Sequence, residues 1–393
     1  MSINILSLFD GMSCGQIALE RAGIKVNQYF ASEIDKYGQI VSKANYPNTI
    51  YLGDVRNINA KNLPKIDLII GGSPCQSFSF AGKRKGMSTK DEQQILTLDH
   101  YLQLKSEGFE FEGQSYLFWE YMRLLNECKP KYFLLENVEM GEKWERVLSK
   151  AIGVNGIHIN SALVSAQNRK RIYWTNIGLM PGGLFGDLVS TIKQPKDKGI
   201  LLRDVLEIEV DEKYYLKQSL IDKLKLYNER QVKNGTGFSD KFRNPDIIEK
   251  MDCLKIGGGM KDDLIVHNMM PRSGNTNAVE IVAMRGRGEN NEQQLESRKD
   301  NLIKQLNPVT NGRQTYQQDR IYDINGINPA LNTHNNGFIN TTSIRRLTPL
   351  ECERLQTVPD NYTNHVSDSQ RYKMLGNGWT IDVISHIFKY LKK

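Results

Sequence analysis

The chain has 393 residues, 39% hydrophobic and 25% charged, enough to bury a large core in one main domain and a smaller second one. Five cysteines with no Cys-x-x-Cys pair argue against a disulfide framework and a zinc knuckle, so a reducing cytoplasm is expected. The net charge of +7 permits a polyanionic partner, whereas no targeting signal and no membrane span are expected, because no apolar run approaches ~18 residues.

Residues 1–178 alternate short apolar runs with helical patterns, the pattern of a mostly parallel α/β sheet flanked by helices. Residues 3–9 read as a buried first strand. The turn Asp10-Gly11-Met12-Ser13-Cys14-Gly15 follows, then a helix over 16–22 closed by Gly23. Strand, glycine turn and helix start together offer free N–H groups and close backbone approach to a nucleotide-like ligand. A second strand, 26–31, ends at Ser32-Glu33-Ile34-Asp35, where an acid suits the two hydroxyls of a ribose. A third short run reaches Gly53-Asp54-Val55, and Asp54 can accept from an adenine amino group. Each feature alone reads first as structural; three in this order point to an adenosine-bearing cofactor.

The fourth apolar run, 66–70, delivers Gly71-Gly72-Ser73-Pro74-Cys75-Gln76, a thiol presented at the mouth of a loop. The continuation to Gly86 is rich in Ser, Gly and basic residues, including Lys83-Arg84-Lys85, and reads as a loop that touches phosphates. A polar stretch, 87–114, has helical pattern over 94–104. A helix over 117–128 stopped by Pro130 precedes a fifth strand, 132–135, which carries Glu136-Asn137-Val138 to the same sheet edge as Cys75. A helix over 142–152, a strand over 157–164 and a strand over 172–177 preceded by Gln167-Asn168-Arg169-Lys170-Arg171 complete this part. From 179 to 343 the alternation gives way to Asn, Gly, Gln and charge, with one helical stretch at 216–230 and turns at 257–259, 285–288 and 335–337. This reads as an inserted, small, irregular β-rich domain. The sheet-type chain resumes with Thr348-Pro349-Leu350-Glu351, a capping box opening a helix to Leu355. A turn at 372–378 and a closing helix over 379–391 follow. Among the basic clusters, Arg345-Arg346 and Arg169-Lys170-Arg171 are candidate phosphate contacts beside the plain reading of solvated charge.

Cysteine and glutamate at adjacent strand ends, beside an adenosine site, suit covalent catalysis on an electron-poor ring. A Cys75 thiolate adding to C6 of a pyrimidine turns C5 into an enamine-like nucleophile able to take a methyl group from a sulfonium donor. Loss of the C5 proton and expulsion of the thiol then restore aromaticity. Glu136 fits the proton partner at N3. Arg169 and Arg171 fit the pyrimidine O2 and an adjacent phosphate, and favour the thiolate.

The ordered series Phe9-x-Gly11, Glu33, Asp54, Pro74-Cys75-Gln76, Glu136-Asn137-Val138, Gln167-x-Arg169-x-Arg171, Arg346-Leu347-Thr348-x-x-Glu351 and Gly376-Asn377 resembles the motif series of DNA (cytosine-5) methyltransferases. The likeness covers about 1–178 and 344–393, and leaves 179–343 where that family keeps its target-recognition domain. It implies a Rossmann-like catalytic domain that uses S-adenosylmethionine, yields S-adenosylhomocysteine and needs no metal. It implies that Phe9 packs on the adenine, that Gly11 and the turn through Met12, Ser13, Cys14 and Gly15 approach the methionine part, and that Glu33 with Ile34 holds the ribose. Asp54 with Val55 then takes the adenine, while Pro74 and Asn377 close the cofactor site. Cys75 becomes the nucleophile, Glu136 the N3 partner, Asn137 a brace for the Pro74-Cys75 loop, and Arg171 a contact to cytosine.

Double-stranded DNA is the implied partner, in the cytoplasm of a bacterial host, with a cognate restriction endonuclease where the setting is restriction–modification rather than phage DNA protection; a monomer is the default. Extruding a base costs a few kcal/mol, and Gln76, Ser77 and Lys83-Arg84-Lys85 are candidates to fill the gap and grip phosphate. Arg285, Arg287, Arg313, Gln314, Gln317 and Arg320 have the chemistry to read guanine or adenine edges. Three departures from the family stand out. Ser13-Cys14-Gly15 replaces a glycine pair, with Ser13 expected on the cofactor carboxylate; the link from Gly86 to Ser115 is longer by roughly twenty residues than loops of this kind; and Pro329-Ala330-Leu331-Asn332-Thr333 only loosely matches a Thr-Leu signature. A nicotinamide oxidoreductase shares the glycine turn but leaves Cys75 and Glu136 unexplained. An RNA cytosine methyltransferase of the same fold and a catalytically silent DNA-binding module remain as alternatives.

Overall fold

The computed structural model describes residues 2–74, 94–111, 113–182, 187–217 and 342–392, together with short strands between 241 and 323. In chain order the elements are β1 (Ile3–Leu8), α1 (Cys14–Arg21), β2 (Val26–Ser32), α2 (Lys36–Asn45), β3 (Ile50–Tyr51), β4 (Leu68–Gly72), α3 (Leu98–Ser106), α4 (Phe118–Cys128), β5 (Tyr132–Val138), α5 (Glu142–Ile152), β6 (Ile157–Asn160), β7 (Gln167–Asn168) and β8 (Lys170–Thr175). Next come β9 (Leu179–Gly182), β10 (Asp187–Ser190), α6 (Leu202–Val205), β11 (Lys241–Arg243), β12 (Met251–Asp252), β13 (Asp263–Asn268), β14 (Glu280–Ile281), β15 (Lys304–Gln305), β16 (Tyr322–Asp323) and β17 (Thr342–Arg346). Three helices end the chain: α7 (Pro349–Leu355), α8 (Asp368–Asn377) and α9 (Ile381–Phe388).

The central sheet has seven strands in the order β3-β2-β1-β4-β5-β8-β6. Neighbours from β3 to β5 are parallel; β8 runs antiparallel to both β5 and β6. Side chains of a strand alternate between faces, and the strands are apolar on both. Ile5, Leu68, Ile70 and Leu134 pack on one side with Ile17 of α1 and Ile384 of α9. Leu6, Leu8, Ile69 and Leu135 pack on the other with Tyr101, Trp119, Tyr121 and Leu148 of α3, α4 and α5. A strand pair covered by helices on both faces is the doubly wound arrangement, whose ligand crevice lies at the carboxyl strand ends. The closing helix packs beside α1, so the end of the chain completes the first core, as expected.

Several local expectations shift. The strand foreseen over 157–164 stops at Asn160, whose side chain caps a 3₁₀ turn over Ser161–Leu163. The segment 372–378 is not a turn but mostly the last part of α8. Burial of Arg371, Tyr372, Met374 and Leu375 overrides its glycines, and Tyr372 donates to the Leu347 carbonyl at 2.6 Å. The capping box is present: the Thr348 amide donates to Glu351 Oε2 at 2.8 Å and the Glu351 amide to Thr348 Oγ1 at 3.2 Å. Arg345 is no phosphate contact, being fully buried and bidentate on Glu351 at 2.7 Å through both nitrogens.

Residues just after 178 behave as part of the first core. Ile192, Leu202 and Val205 are buried in it, and the Glu207 amide donates to Glu351 Oε1 at 2.9 Å. Beyond them, β11, β13 and β14 form a small sheet joined to β17 antiparallel, and β12 pairs with β7. The helical stretch at 216–230 and the turns at 257–259, 285–288 and 335–337 lie outside the described residues. Among the described residues, no helix is long and apolar enough to cross a membrane.

Candidate active site

The site begins where β1 leaves the sheet. Phe9, Gly11 and Ser13 all have left-handed backbones, with φ of 58°, 58° and 62°. Two of the three carry side chains, a conformation that costs of order 1–3 kcal/mol at each and persists only where surroundings enforce it. Here the Asp10 amide donates to the Ser32 carbonyl at 3.0 Å, and the Gly11 amide to Glu33 Oε2 at 2.7 Å. Glu33 Oε1 also accepts from the amides of Ile34 and Asp35, at 2.7 and 2.6 Å. One carboxylate thus ties the first two strand ends together and keeps acceptor capacity for hydroxyl donors, since a carboxylate offers about four lone-pair sites.

The space in front of this turn is open. A Cβ at Gly11, or at Gly53 beside Asp54, would meet no atom within 4 Å. Ile34, 68% exposed, offers an apolar surface, and Phe9 is half-buried at the edge of the second core. Asp54 caps the 3₁₀ turn Val55–Asn57, and both its oxygens accept from Arg56 at 2.5–3.0 Å, which holds the carboxyl below the usual range. An adenine amino group would share Asp54 with Arg56. Val55 is buried and braces the turn from within. Open glycines, a carboxylate at each of two strand ends and apolar walls fit an adenosine-bearing group.

The rest of the turn faces inward, a correction to the sequence reading. Ser13 is fully buried and donates to Asp10 Oδ2, with its Oγ 2.5 Å from that of Ser42, so it does not reach toward a cofactor carboxylate. Met12 is buried while its carbonyl accepts from Tyr362 at 2.7 Å. Gly15 is needed because a Cβ there would lie 2.3 Å from Ile70 Cδ1. Burial pushes the Cys14 thiol up to about 12, which leaves it protonated and unreactive at neutral pH. Asp10, which the sequence reading passed over, accepts from Tyr29 at 2.7 Å and from Ser13. Burial raises its pKa to about 6 against the opposing effect of its hydroxyl partners.

On the neighbouring strands, register sets Gly72 of β4 opposite Glu136 of β5, and Val138 opposite Arg171 of β8. Glu136 is buried and held at both oxygens. Arg171 Nε lies 3.0 Å from Oε1, and the Trp379 indole donates to Oε2 at 3.1 Å. Gly72 allows this, since a Cβ there would be 2.9 Å from both Glu136 Oε2 and Trp379 Nε1. Asn137 donates to Ser73 at the carbonyl (3.3 Å) and at Oγ (3.1 Å), bracing the chain as it enters Pro74. Arg169 corrects the expectation of a pyrimidine or phosphate contact. It is 3% exposed and donates to the carbonyls of Gly376 and Gly378 at 3.2 and 2.8 Å, holding the turn that presents Trp379. Asn377 is exposed at the end of α8. The sequence reading gives Trp379 no site role, although an indole directly after Gly376-Asn377-Gly378 is a visible signal. Cys75, Gln76, Ser77, Lys83, Arg84, Lys85, Arg285, Arg287, Arg313, Gln314, Gln317, Arg320 and the 329–333 segment lie outside the described residues. Among the described residues, no group of three or more His, Cys, Asp or Glu could hold a metal ion.

The family model for C-5 cytosine-specific DNA methylase matches residues 3–393. The chain belongs to this family. It is therefore a C-5 cytosine DNA methyltransferase by family, and its relatives are bacterial and phage proteins. The orphan methyltransferase M.SPRI of Bacillus phage SPR is 30% identical, over 99% of this chain and 97% of the relative. Type II methyltransferase M.HgiCI of Herpetosiphon aurantiacus is 26% identical, over 100% and 98%. Among solved structures, the Dnmt2 methyltransferase of S. pombe (TM-score 0.55, 17% identity, 99% of this chain and 98% of the other) and the Entamoeba histolytica methyltransferase EhMeth (TM-score 0.57, 14% identity, 100% and 98%) share the fold.

Proposed function

We propose that this methyltransferase modifies C5 of a flipped-out cytosine in a specific duplex DNA sequence through a covalent Cys75–C6 adduct. The observation that carries the reading is the clamped carboxylate of Glu136, one strand from Gly72 and the chain that enters Pro74. Glu136 holds the proton at N3 as negative charge builds on the ring, and Arg171, already on Glu136, keeps that carboxylate oriented and brings a cation toward the pyrimidine O2. Cys75 forms the S–C6 bond, the displaced electron pair makes C5 the methyl acceptor, and loss of the C5 proton expels the thiolate. S-adenosylmethionine, when bound, supplies the electrophilic methyl group and leaves as S-adenosylhomocysteine. Glu33 would take the ribose hydroxyls, Asp54 the adenine amino group, and Phe9 and Ile34 the apolar faces.

Residues 1–178 and 344–393 form the catalytic domain in this reading, extended by the stretch to about 207 that packs into its core. Sequence readout falls to the insertion, with Arg285, Arg287, Arg313, Gln314, Gln317 and Arg320 as readers and Gln76, Ser77 and Lys83-Arg84-Lys85 on the displaced strand and phosphates. The relatives, named a type II methyltransferase and an orphan phage methyltransferase, support a role in restriction–modification, for which a cognate endonuclease is the proposed partner, or in phage DNA protection.

The test is duplex DNA carrying 5-fluorocytosine, incubated with the protein and S-adenosylmethionine. A denaturation-resistant complex that disappears in Cys75→Ala is expected, and bisulfite mapping in a methylation-free bacterium should return one short motif. Methylation of tRNA with inert duplex DNA would overturn the choice of substrate.

A further inference from the structure

The long stretch after the catalytic loop has no assigned purpose, yet its helix α3 joins a buried ionic cluster. Glu120 of α4 is fully buried. Its Oε1 accepts from Tyr101 of α3 at 2.5 Å and pairs with Lys105 of the same helix, and its Oε2 accepts from Arg123 Nε at 2.7 Å. Arg123 then reaches across the second core, donating from Nη2 to the Val55 carbonyl and from Nη1 to the Ile58 carbonyl, each at 3.1 Å. Those two carbonyls bracket the 3₁₀ turn that Asp54 caps. Val55 and Ile58 pack in the same apolar cluster as Tyr101, Phe118 and Met122, and the guanidinium fork adds two directional bonds to that packing.

We infer that Arg123 is a positioning residue of the cofactor site, holding the Asp54 turn in register for the adenine amino group and linking it through Glu120 to α3. The inference rests on the adenosine reading of the site given above. A buried carboxylate with two cations and a phenol is fixed in place, and a planar fork fixed at its Nε has little freedom left at its two terminal nitrogens. Lysine at this position keeps the charge but cannot reach both carbonyls and Glu120 together.

The test uses the full-length protein and calorimetric titration with S-adenosylhomocysteine and with S-inosylhomocysteine, in which a carbonyl replaces the adenine amino group. Arg123→Lys is expected to weaken S-adenosylhomocysteine binding about tenfold and to lower the preference for it over the inosine analogue, with kcat at saturating cofactor unchanged. Tyr101→Phe, which removes only the hydroxyl that donates to Glu120, is expected to weaken binding about threefold. Should Arg123→Lys fail to fold, Tyr101→Phe decides. Native affinity and native selectivity in a folded variant would overturn the inference. Wild-type protein that binds neither analogue would instead refute the adenosine site itself.

Discussion

Substituting Gly72 by alanine adds one methyl group at the point where catalytic and closing residues meet. The Gly72 backbone is not left-handed, so alanine is acceptable to it and the effect isolates the contact. The new Cβ would stand 2.9 Å from Glu136 Oε2 and from Trp379 Nε1, several tenths of an ångström inside ordinary contact. Both partners cannot stay, and the 3.1 Å hydrogen bond between them is lost. A hydrogen bond to a charged group contributes about 1.5–3 kcal/mol, and displacing a catalytic group by an ångström costs up to ~100-fold. A fall in kcat of about 10- to 100-fold is therefore expected, with S-adenosylhomocysteine affinity within about twofold of wild type because Glu33 and Asp54 are untouched. Single-turnover methylation of duplex DNA with a labelled methyl donor measures the first, and calorimetry the second. Gly71→Ala is the control. Its Cβ faces the other side of the sheet, 3.0 Å from the Leu8 carbonyl and 3.2 Å from the Tyr121 ring, so it should lower stability by about 1–3 kcal/mol and leave the chemical step alone. Wild-type single-turnover rates in Gly72→Ala would refute the close packing of Glu136 and Trp379.

Asp10 should make stability depend on pH. Its folded pKa of about 6 lies above the ordinary carboxyl value of 3.8, so the native state binds the extra proton between them, and the associated stability, complete below about pH 4, is lost as pH rises through 6. Unfolding free energies from urea titrations at pH 5 and 8 should differ by roughly 1–2 kcal/mol more in wild type than in Asp10→Asn; equal pH dependence in the two would count against a buried, titrating Asp10. Cys14 and Cys352 are buried, with thiols pushed to about 12 and well above the ordinary value, so iodoacetamide at pH 8 should spare both in the folded protein. Peptide mass spectrometry reads this directly. Removing one partner of the Arg345–Glu351 pair in Glu351→Ala strands a buried guanidinium and removes the Glu351 half of the capping box, and should cost about 3–5 kcal/mol in chemical denaturation.

Local signals carried much of the fold and of the site. Apolar runs became strands because their buried positions lie on both faces of one sheet, and Thr348 and Glu351 marked a helix start because a capping box closes within four residues. The acids at strand ends were legible for the same reason: parallel register brings Glu33, Asp54 and Glu136 to one edge without further information. What the sequence concealed is which way side chains point when the deciding partner is distant. Ser13 turns inward on Ser42, Arg345 pairs inside the core although it sits in a basic doublet, and α8 runs through Gly376 because Arg371 and Tyr372 dock elsewhere.

Glu136 joins the two kinds of information. Its place at the end of β5 follows from the strand, but its orientation depends on Arg171 from an antiparallel strand and on Trp379, 243 residues along the chain. Trp379 in turn is presented by a turn that Arg169 holds through two carbonyls. The two arginines of the Gln167-Asn168-Arg169-Lys170-Arg171 segment therefore divide their work, one orienting the carboxylate and the other the indole that meets it. A motif that looks like a pair of anion contacts is here chiefly a device for fixing one acid. Strand alternation would place residues 169 and 171 on one face, but Arg169 lies in the break between β7 and β8, and that break lets the two arginines reach different partners.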